Sequence, residues 1–314
     1  MSTPVTMKNF IRAETDNYFA AFAKEGGFGK FAHDRDLVDL DHQTVIRMNR
    51  DTVYSRAVFD LDAGALTIAL PEASGRFMSI LAIDEDHYVA GTYYDTTPHR
   101  FTREQVGTRY LGFLIRTLVD PTDPADLQKV HALQDAIRVE QVAPGRLELP
   151  DWDQASLAET RGRLSKMPVP DEKRGFGTRA SVDPESHLIA TAIGWGGNPA
   201  RDASYMADWP ERNDGKTIYR LTVKDVPVDG FWSVTVYNKA GYFERNAQNA
   251  YSLNNLTAKP DSDGGFTIQF GGCDGQVTNC LPIMPGWNYA VRMYRPRSEI
   301  LDGSWTFPKA QPIE

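Results

Sequence analysis

Two segments constrain the fold more than any others. GFWSVTVYN (residues 230–238) and NYAVRMY (residues 288–294) both alternate with period two. On the first, Trp232, Val234 and Val236 face one way, and Phe231, Ser233, Thr235 and Tyr237 face the other. On the second, Tyr289, Val291 and Met293 oppose Asn288, Ala290, Arg292 and Tyr294. Side chains alternate across a strand, so each segment carries an apolar face that must be buried and a face of rings, hydroxyls, amide and guanidinium. Such strands call for antiparallel sheets with a core on one side and a surface suited to a ligand on the other.

The remaining pattern mixes helices with strands. Phe10, Ile11, Ala13, Tyr18, Phe19 and Phe22 make an apolar stripe over residues 7–24, which Gly26 and Gly27 close. Between residues 42 and 94, VYSRAVFDL, ALTIAL, RFMSILAI and DHYVAGTYY are short, aromatic or β-branched, and separated by turn residues. Thr102 and Gln105 form a capping box that predicts a helix through VGTRYLGFLIRTL. Asp123-Pro124 predicts a second helix carrying Leu127, Val130, Leu133 and Ile137, and Asp153 opens a third through Leu157 and Leu164. Asn198-Pro199 reads as another helix start, which makes GWGG a turn before a short helix. From Lys216 onward the pattern is all β.

These signals predict an α+β, mainly β chain: two antiparallel β-sandwich or jelly-roll-like domains joined by a helical segment. The Pro-, Gly- and charge-rich stretch 166–182 sets the expected boundary. Residues 1–170 form a β domain with an N-terminal helix and a helical block at about 102–166, and residues 171–314 a jelly-roll-like β domain.

Composition narrows the function classes. A length of 314 residues suits two domains, and 41% apolar residues supply a core. A net charge of −8 argues against nucleic acid or an anionic membrane as partner. No apolar run reaches the roughly 18 residues that span a bilayer. The N-terminus lacks a signal-peptide plan, so the expected location is cytoplasmic. Cys273 and Cys280 are the only cysteines, too few for a disulfide framework; a reducing cytosol favours two thiols over a single bridge.

Three constellations carry candidate chemistry. In NRDTVYS, Arg50 has the fork to hold a carboxylate, Asp51 can exchange a proton, and Tyr54 can donate or orient. The competing reading is an internal Arg-Asp network that fixes the turn before the strand. In DEDHYV, Glu85 and His87 share a strand face and suit a base with its orienter. They also have the chemistry of divalent-metal ligands, which the sequence does not favour; the competing reading is an exposed acidic turn. Third, Ser233, Thr235, Tyr237, Asn288 and Arg292 make a polar, aromatic sheet face suited to binding a substrate. GWGGNP lacks the spacing of a phosphate-binding loop and reads as a tight turn against Trp195.

Several of the longer motifs, among them RMNRDTVYSRAVFDL, GRFMSILAIDEDHYV, IGWGGNPARDASY, VDGFWSVTVYN and NCLPIMPGWNYAVRMYRPR, resemble a bacterial family that joins two domains of unknown function, the twelve-fifty-four and twelve-fourteen types. The resemblance runs in order over nearly the whole chain. It implies two β-rich domains, the second jelly-roll-like, with helices between, and it brings no catalytic residues. Cys280 stands where many relatives carry Trp. The chemistry of the residues therefore sets the functional expectation: a hydrolase- or lyase-type enzyme without an organic cofactor, using acid-base chemistry on a small polar organic molecule. The alternatives are a non-catalytic carbohydrate- or small-acid-binding protein and a homo-oligomeric structural protein joined through the aromatic face.

Overall fold

The structure is a computed structural model that describes residues 2–43 and 46–313. The N-terminal apolar stripe folds as α1 (Phe10–Lys24), which buries Phe10, Ala13, Phe19 and Phe22 and ends where Gly26 takes a φ of 89°. There follow β1 (Ala32–His33), β2 (Thr52–Asp60), β3 (Leu66–Ala69), β4 (Met78–Asp84), β5 (Val89–Tyr93) and β6 (His99–Phe101). Then come α2 (Arg103–Val106), β7 (Tyr110–Leu118), α3 (Pro124–Asp135), β8 (Arg138–Glu140), α4 (Gln154–Leu164) and α5 (Pro184–Gly194).

The chain divides into two compact units. The first takes in residues up to Arg35, Val53–Leu118 and Gln128–Ala200; the second takes in Asp36–Thr52, Val119–Leu127 and the chain from Arg201 onward. In the first unit a five-stranded sheet has the order β1-β2-β7-β4-β5, and a three-stranded sheet the order β6-β3-β8. One core cluster joins both sheets through Phe59, Ile68, Ile80, Phe101, Phe113 and Ile115. The opposite face of the larger sheet packs Leu81, Ile83 and Leu114 against Phe19 and Phe22 of α1.

That double burial explains a correction. YLGFLIRTL is the central strand β7, buried at every position, and not the predicted helix. The capping signal is real but short. Thr102 Oγ1 accepts from the Gln105 amide, and left-handed Gly107 ends α2 after one turn. A strand covered on both faces loses its alternation and reads as an unbroken apolar run. The helices predicted at Asp123-Pro124 and Asp153 do form. HLIATAIG also lies in a helix: it belongs to α5, capped by Asp183 with Pro184 in the first turn. Residues after Asn198-Pro199 turn directly into a strand, so no helix starts there.

The second unit contains β9 (Ala203–Asp208), β10 (Tyr219–Val223), β11 (Trp232–Tyr237), β12 (Ser252–Asn254), β13 (Phe266–Phe270), β14 (Cys280–Leu281), β15 (Asn288–Tyr294), α6 (Ser298–Leu301) and β16 (Gln311–Pro312). Its sheets have the orders β12-β11-β15-β9 and β14-β13-β10-β16. β11 and β15 pair antiparallel with Val234 opposite Val291, which puts both apolar faces on the same side. Trp232, Val234, Val236, Tyr289, Val291 and Met293 share a core with Leu221, Ile268 and Phe270 of the other sheet. The architecture is thus mixed α and β, with mainly antiparallel sheets; β13 and β14 run parallel.

Cys273 and Cys280 are not thiols but a disulfide, with Cα atoms 5.6 Å apart. Pairing of β14 with β13 fixes Cys280 opposite Gln269, and the turn through Gly271 and Gly272, both at positive φ, brings Cys273 back beside it. Among the described residues no helix is long and apolar enough to cross a membrane.

Candidate functional site

In the second unit, β11 and β15 build the polar face seen in the sequence, but that face is covered. Ser233, Thr235, Tyr237 and Asn288 are wholly buried and Arg292 is 5% exposed. The cover is the stretch around Arg47 and Met48. Arg292 donates to the carbonyls of Arg47 (2.8 Å) and Met48 (3.4 Å), to Thr235 Oγ1 (3.0 Å) and to Tyr237 Oη (2.7 Å). Tyr237 Oη in turn donates to the Met48 carbonyl at 2.7 Å. Asn288 accepts from Arg47 Nη2 at 3.2 Å.

Asp51 joins this set, so the structure unites residues from two separate sequence constellations. Its Oδ1 accepts from Asn254 Nδ2 at 3.1 Å. Burial raises its pKa; the charge of Arg292 and the side chains of Ser233, Asn254 and Ser252 oppose the rise without cancelling it. Asp51 Oδ2 and Ser233 Oγ lack a hydrogen bond of good geometry among the described residues. Arg50 points elsewhere: it donates to the Val38 carbonyl and lies over the Tyr251 ring at 5.2 Å. The main positive charge acting on Asp51 is therefore Arg292, with a weaker contribution from Arg50, and the face binds its own chain.

In the first unit, DEDHYV is the β4–β5 turn rather than a strand, and it is buried rather than exposed. His87 closes it with a left-handed φ of 61°, its amide bonded to the Asp84 carbonyl at 3.0 Å. The His87 ring is 2% exposed. Its Nε2 accepts from the Gly196 amide at 2.9 Å. Its Nδ1 lies 2.8 Å from Thr191 Oγ1, whose own proton goes to the His187 carbonyl. The network therefore assigns the proton of His87 to Nδ1 and leaves neither nitrogen for a substrate or a metal. Burial, with the charge of His187 adding to it, holds the His87 pKa well below the usual histidine range. Glu85 does not share the His87 ring: its Oε2 accepts from the Tyr110 amide at 3.0 Å. Tyr54 packs against the Arg116 guanidinium at 5.3 Å.

GWGGNP is spent on this support. Gly196 gives its amide to His87 and its carbonyl to Arg116, and a Cβ there would lie 2.5 Å from Leu114 Cδ1. The amides of Gly196 and Gly197 go to His87 Nε2 and the Gly194 carbonyl, so neither glycine amide serves as a phosphate cradle.

A column of parallel planar groups runs through the first unit. Tyr18 stacks on Trp195 (4.2 Å, 7°), Trp195 on His87 (5.3 Å, 16°), and His87 on His187 (5.5 Å, 19°). His187 stacks on Tyr88 (4.7 Å, 13°), and the Arg179 guanidinium covers Tyr88 at 4.3 Å. His187 bonds the carbonyls of Gly175 (2.9 Å) and Asp86 (3.0 Å), pinning the turn. Asp86 grips Arg12 at 2.6 Å and Arg179 at 3.1 Å.

The outer end of the column is the wall of a cleft of about 530 Å³. It lies beside two edge strands, β5 and β6, and is closed by α2 and the loop carrying Arg179. Tyr88, Tyr93 and Phe101 supply rings, Arg100 and Arg179 supply cations, and Asp84 supplies a carboxylate. Asp84 Oδ1 accepts from the amides of Asp86 (2.9 Å) and Tyr88 (2.8 Å), while Oδ2 has no hydrogen-bond partner among the described residues. Burial pushes the Asp84 pKa up to about 6; the nearby Asp86 charge adds to the rise, and the two amides and Arg179 oppose it. Gly91 lets the Tyr93 ring fold back along β5, since a Cβ would meet Tyr93 Oη at 2.3 Å. Sequence reasoning passed over Arg100, Tyr93, Gln105 and Arg179, which lie on three elements and a loop with no shared spacing.

Residues 204–298 match the family described as "Protein of unknown function (DUF1214)" and residues 28–90 the one described as "Protein of unknown function (DUF1254)". No curated protein matches the sequence. Among solved structures, the fold is similar to that of the VPA0106 protein from Vibrio parahaemolyticus, with a TM-score of 0.73, 18% identity and 98% of each chain covered. It is also similar to an uncharacterized protein from Burkholderia cenocepacia, with a TM-score of 0.55, 12% identity, and 98% of this chain and 87% of that one covered. Both likenesses show the fold alone. With the two domains in one chain, the protein belongs to the two-domain family of unknown function that joins DUF1254 to DUF1214.

Proposed function

We propose that the protein is an enzyme of hydrolase or lyase type, acting by acid-base chemistry on a small polar organic molecule in the cleft of the first unit, without an organic cofactor. The acid-base role passes from His87, whose ring nitrogens are both engaged, to Asp84. One observation carries this reading: a buried carboxyl has its pKa raised to about 6, with one oxygen unpaired at the wall of a cleft that also holds two guanidinium groups. A group with that pKa is mostly ionised at neutral pH yet basic enough to accept a proton, which suits a general base. Arg179, held by Asp86 and Tyr88, supplies a fixed positive charge for an anionic group or a developing one.

The test is turnover of a panel of small hydroxy acids, esters and lactones followed by NMR, with wild type and Asp84→Asn in parallel. The expected result is a rate that climbs through about pH 6 in the wild type and falls by about 10²–10⁴ in the variant. Equal turnover by the two proteins, or a rate flat across that pH, removes the role of Asp84.

The disulfide bears on location. A Cys273–Cys280 bridge persists in an oxidising compartment and not in a reducing cytosol, which favours an envelope or secreted site of action over the cytoplasmic one. Thiol alkylation of the protein in freshly lysed cell fractions tests it: two labelled cysteines in the natural host would return the protein to the cytosol.

A further inference from the structure

The geometry points to an organic carboxylate with a flat apolar body, such as an aromatic acid, as the ligand class of the first-unit cleft, its anionic end held by Arg100 and Arg179 and its body laid against Tyr88, Tyr93 and Phe101. This deepens the reading of Asp84 given above and rests on the same cleft.

Three observations carry it. First, the cations keep free donors. The Arg100 side chain lines the cleft on β6 and makes no hydrogen bond or ion pair among the described residues, with Glu104 as a nearby charge. Arg179 uses only Nη2, on Asp86 Oδ2 at 3.1 Å, so its Nε and Nη1 donors remain for a ligand. Guanidinium groups present planar forks that match a carboxylate, and charge-assisted bonds of this kind are the strong ones. Arg100 and Arg179 offset Asp84 and Asp86 here, so the cleft lacks the negative excess of a chain with a net charge of −8 and can admit an anion.

Second, the walls are fixed. Tyr88 is held between His187 at 4.7 Å and the Arg179 guanidinium at 4.3 Å and so offers the cleft its edge, and Tyr93 is stacked on His99 at 3.7 Å with Phe101 edge-on at 6.0 Å. Rings that are already packed cost little ordering entropy when an apolar ligand body is set against what they leave open. Third, Val89 and Val106 add apolar lining, and the volume of about 530 Å³ lies in the range of ordinary small-molecule sites. An inorganic anion would leave those surfaces unused.

Isothermal titration of the full chain with benzoate, acetate and benzyl alcohol tests the proposal. Benzoate is expected to bind about tenfold or more tighter than either of the others. Arg100→Gln and Arg179→Gln, both at exposed guanidinium groups, are each expected to weaken benzoate by about ten- to a hundredfold with the melting temperature unchanged. Benzyl alcohol binding as well as benzoate would remove the anion, and acetate binding as well would remove the flat body. Benzoate binding unaffected by both arginine substitutions, or no benzoate binding at millimolar concentration, overturns the site. Failure of the Asp84 reading is separate: benzoate binds through the arginines while Asp84→Asn leaves turnover untouched.

Discussion

Arg179 lies 4.3 Å above the ring of Tyr88, and Tyr88, stacked on His187, ties the cleft wall to a column of stacked groups that ends at Tyr18 in α1. The column fixes the plane of the wall, and its members have structural work to do. His87 is the clearest case. Replacing it with Ala removes a buried ring and strands the Gly196 amide and the Thr191 hydroxyl. His87→Ala is expected to lose about 2–4 kcal/mol of stability. Thermal and urea unfolding measure this, and a variant as stable as wild type would show that the column bears no weight.

Asp16 makes stability depend on pH. It is 1% exposed; Oδ2 accepts from Trp152 Nε1 at 2.8 Å, and Oδ1 has no hydrogen-bond partner among the described residues. Burial raises its pKa to about 7, with the charges of Glu85 and Asp86 adding and Trp152 and Arg12 opposing. The folded state thus holds a proton that the unfolded chain releases near pH 4. The unfolded state binds fewer protons in between, so stability falls as pH rises from about 4 to about 7 and stays low above that. Asp16→Asn is expected to flatten this dependence and gain roughly 2–4 kcal/mol at alkaline pH. Urea titrations of both proteins across that range check it; parallel curves would place the Asp16 pKa in the ordinary carboxylate range.

The buried network of the second unit predicts a different outcome. Arg292 satisfies two carbonyls and two hydroxyls and offsets the charge of Asp51. Arg292→Met keeps much of the volume and removes the main counter-charge of Asp51, leaving the weaker one of Arg50, which is expected to cost about 3–5 kcal/mol. The double variant Arg292→Met with Asp51→Asn is expected to recover part of that loss, because the stranded charge is gone. A double variant no better than the single one would mean that Asp51 is already neutral in the folded protein.

The sequence was most legible where one face of an element is buried and the other is not. The alternation of β11 and β15 gave their register-compatible faces directly, and Asp153 and Asp123-Pro124 marked their helices. β7 was opaque for the opposite reason: covered on both sides, it shows no period. The site was half legible. Density of ionisable groups singled out DEDHYV, and Asp84 and Tyr88 do line the cleft. Yet the motif could not say that a left-handed residue at 87 turns the histidine inward and leaves the aspartate at the wall. Nor could it supply Arg100 and Arg179, which reach the same place through tertiary packing. The polar face of Ser233, Thr235 and Tyr237 was drawn correctly but read as open, because a covering loop without periodicity leaves no trace in the pattern it covers.

The last prediction concerns that same second unit at its disulfide. The bridge joins residues seven apart in sequence, across a loop that holds one glycine, Gly275. Glycine adds to the cost of ordering the open loop, since it has the most backbone freedom to lose. Closing a loop of this size restricts the unfolded chain by an amount worth about 2.5 kcal/mol on the chain-entropy scale. β14 has only two residues paired with β13, and beyond them it is held by Leu281 in the core and by the Asn279 side chain bonded to Lys259 and Thr267. Cys280→Ser, or reduction of the wild type, is therefore expected to lower the melting temperature and to raise amide exchange at Cys280 and Leu281 first. The Asp84 cleft belongs to the other unit, so turnover and benzoate binding at moderate temperature are expected to be unchanged. Hydrogen exchange with and without reductant separates the two effects, and equal protection of β14 in both states would show that strand pairing alone fixes the turn.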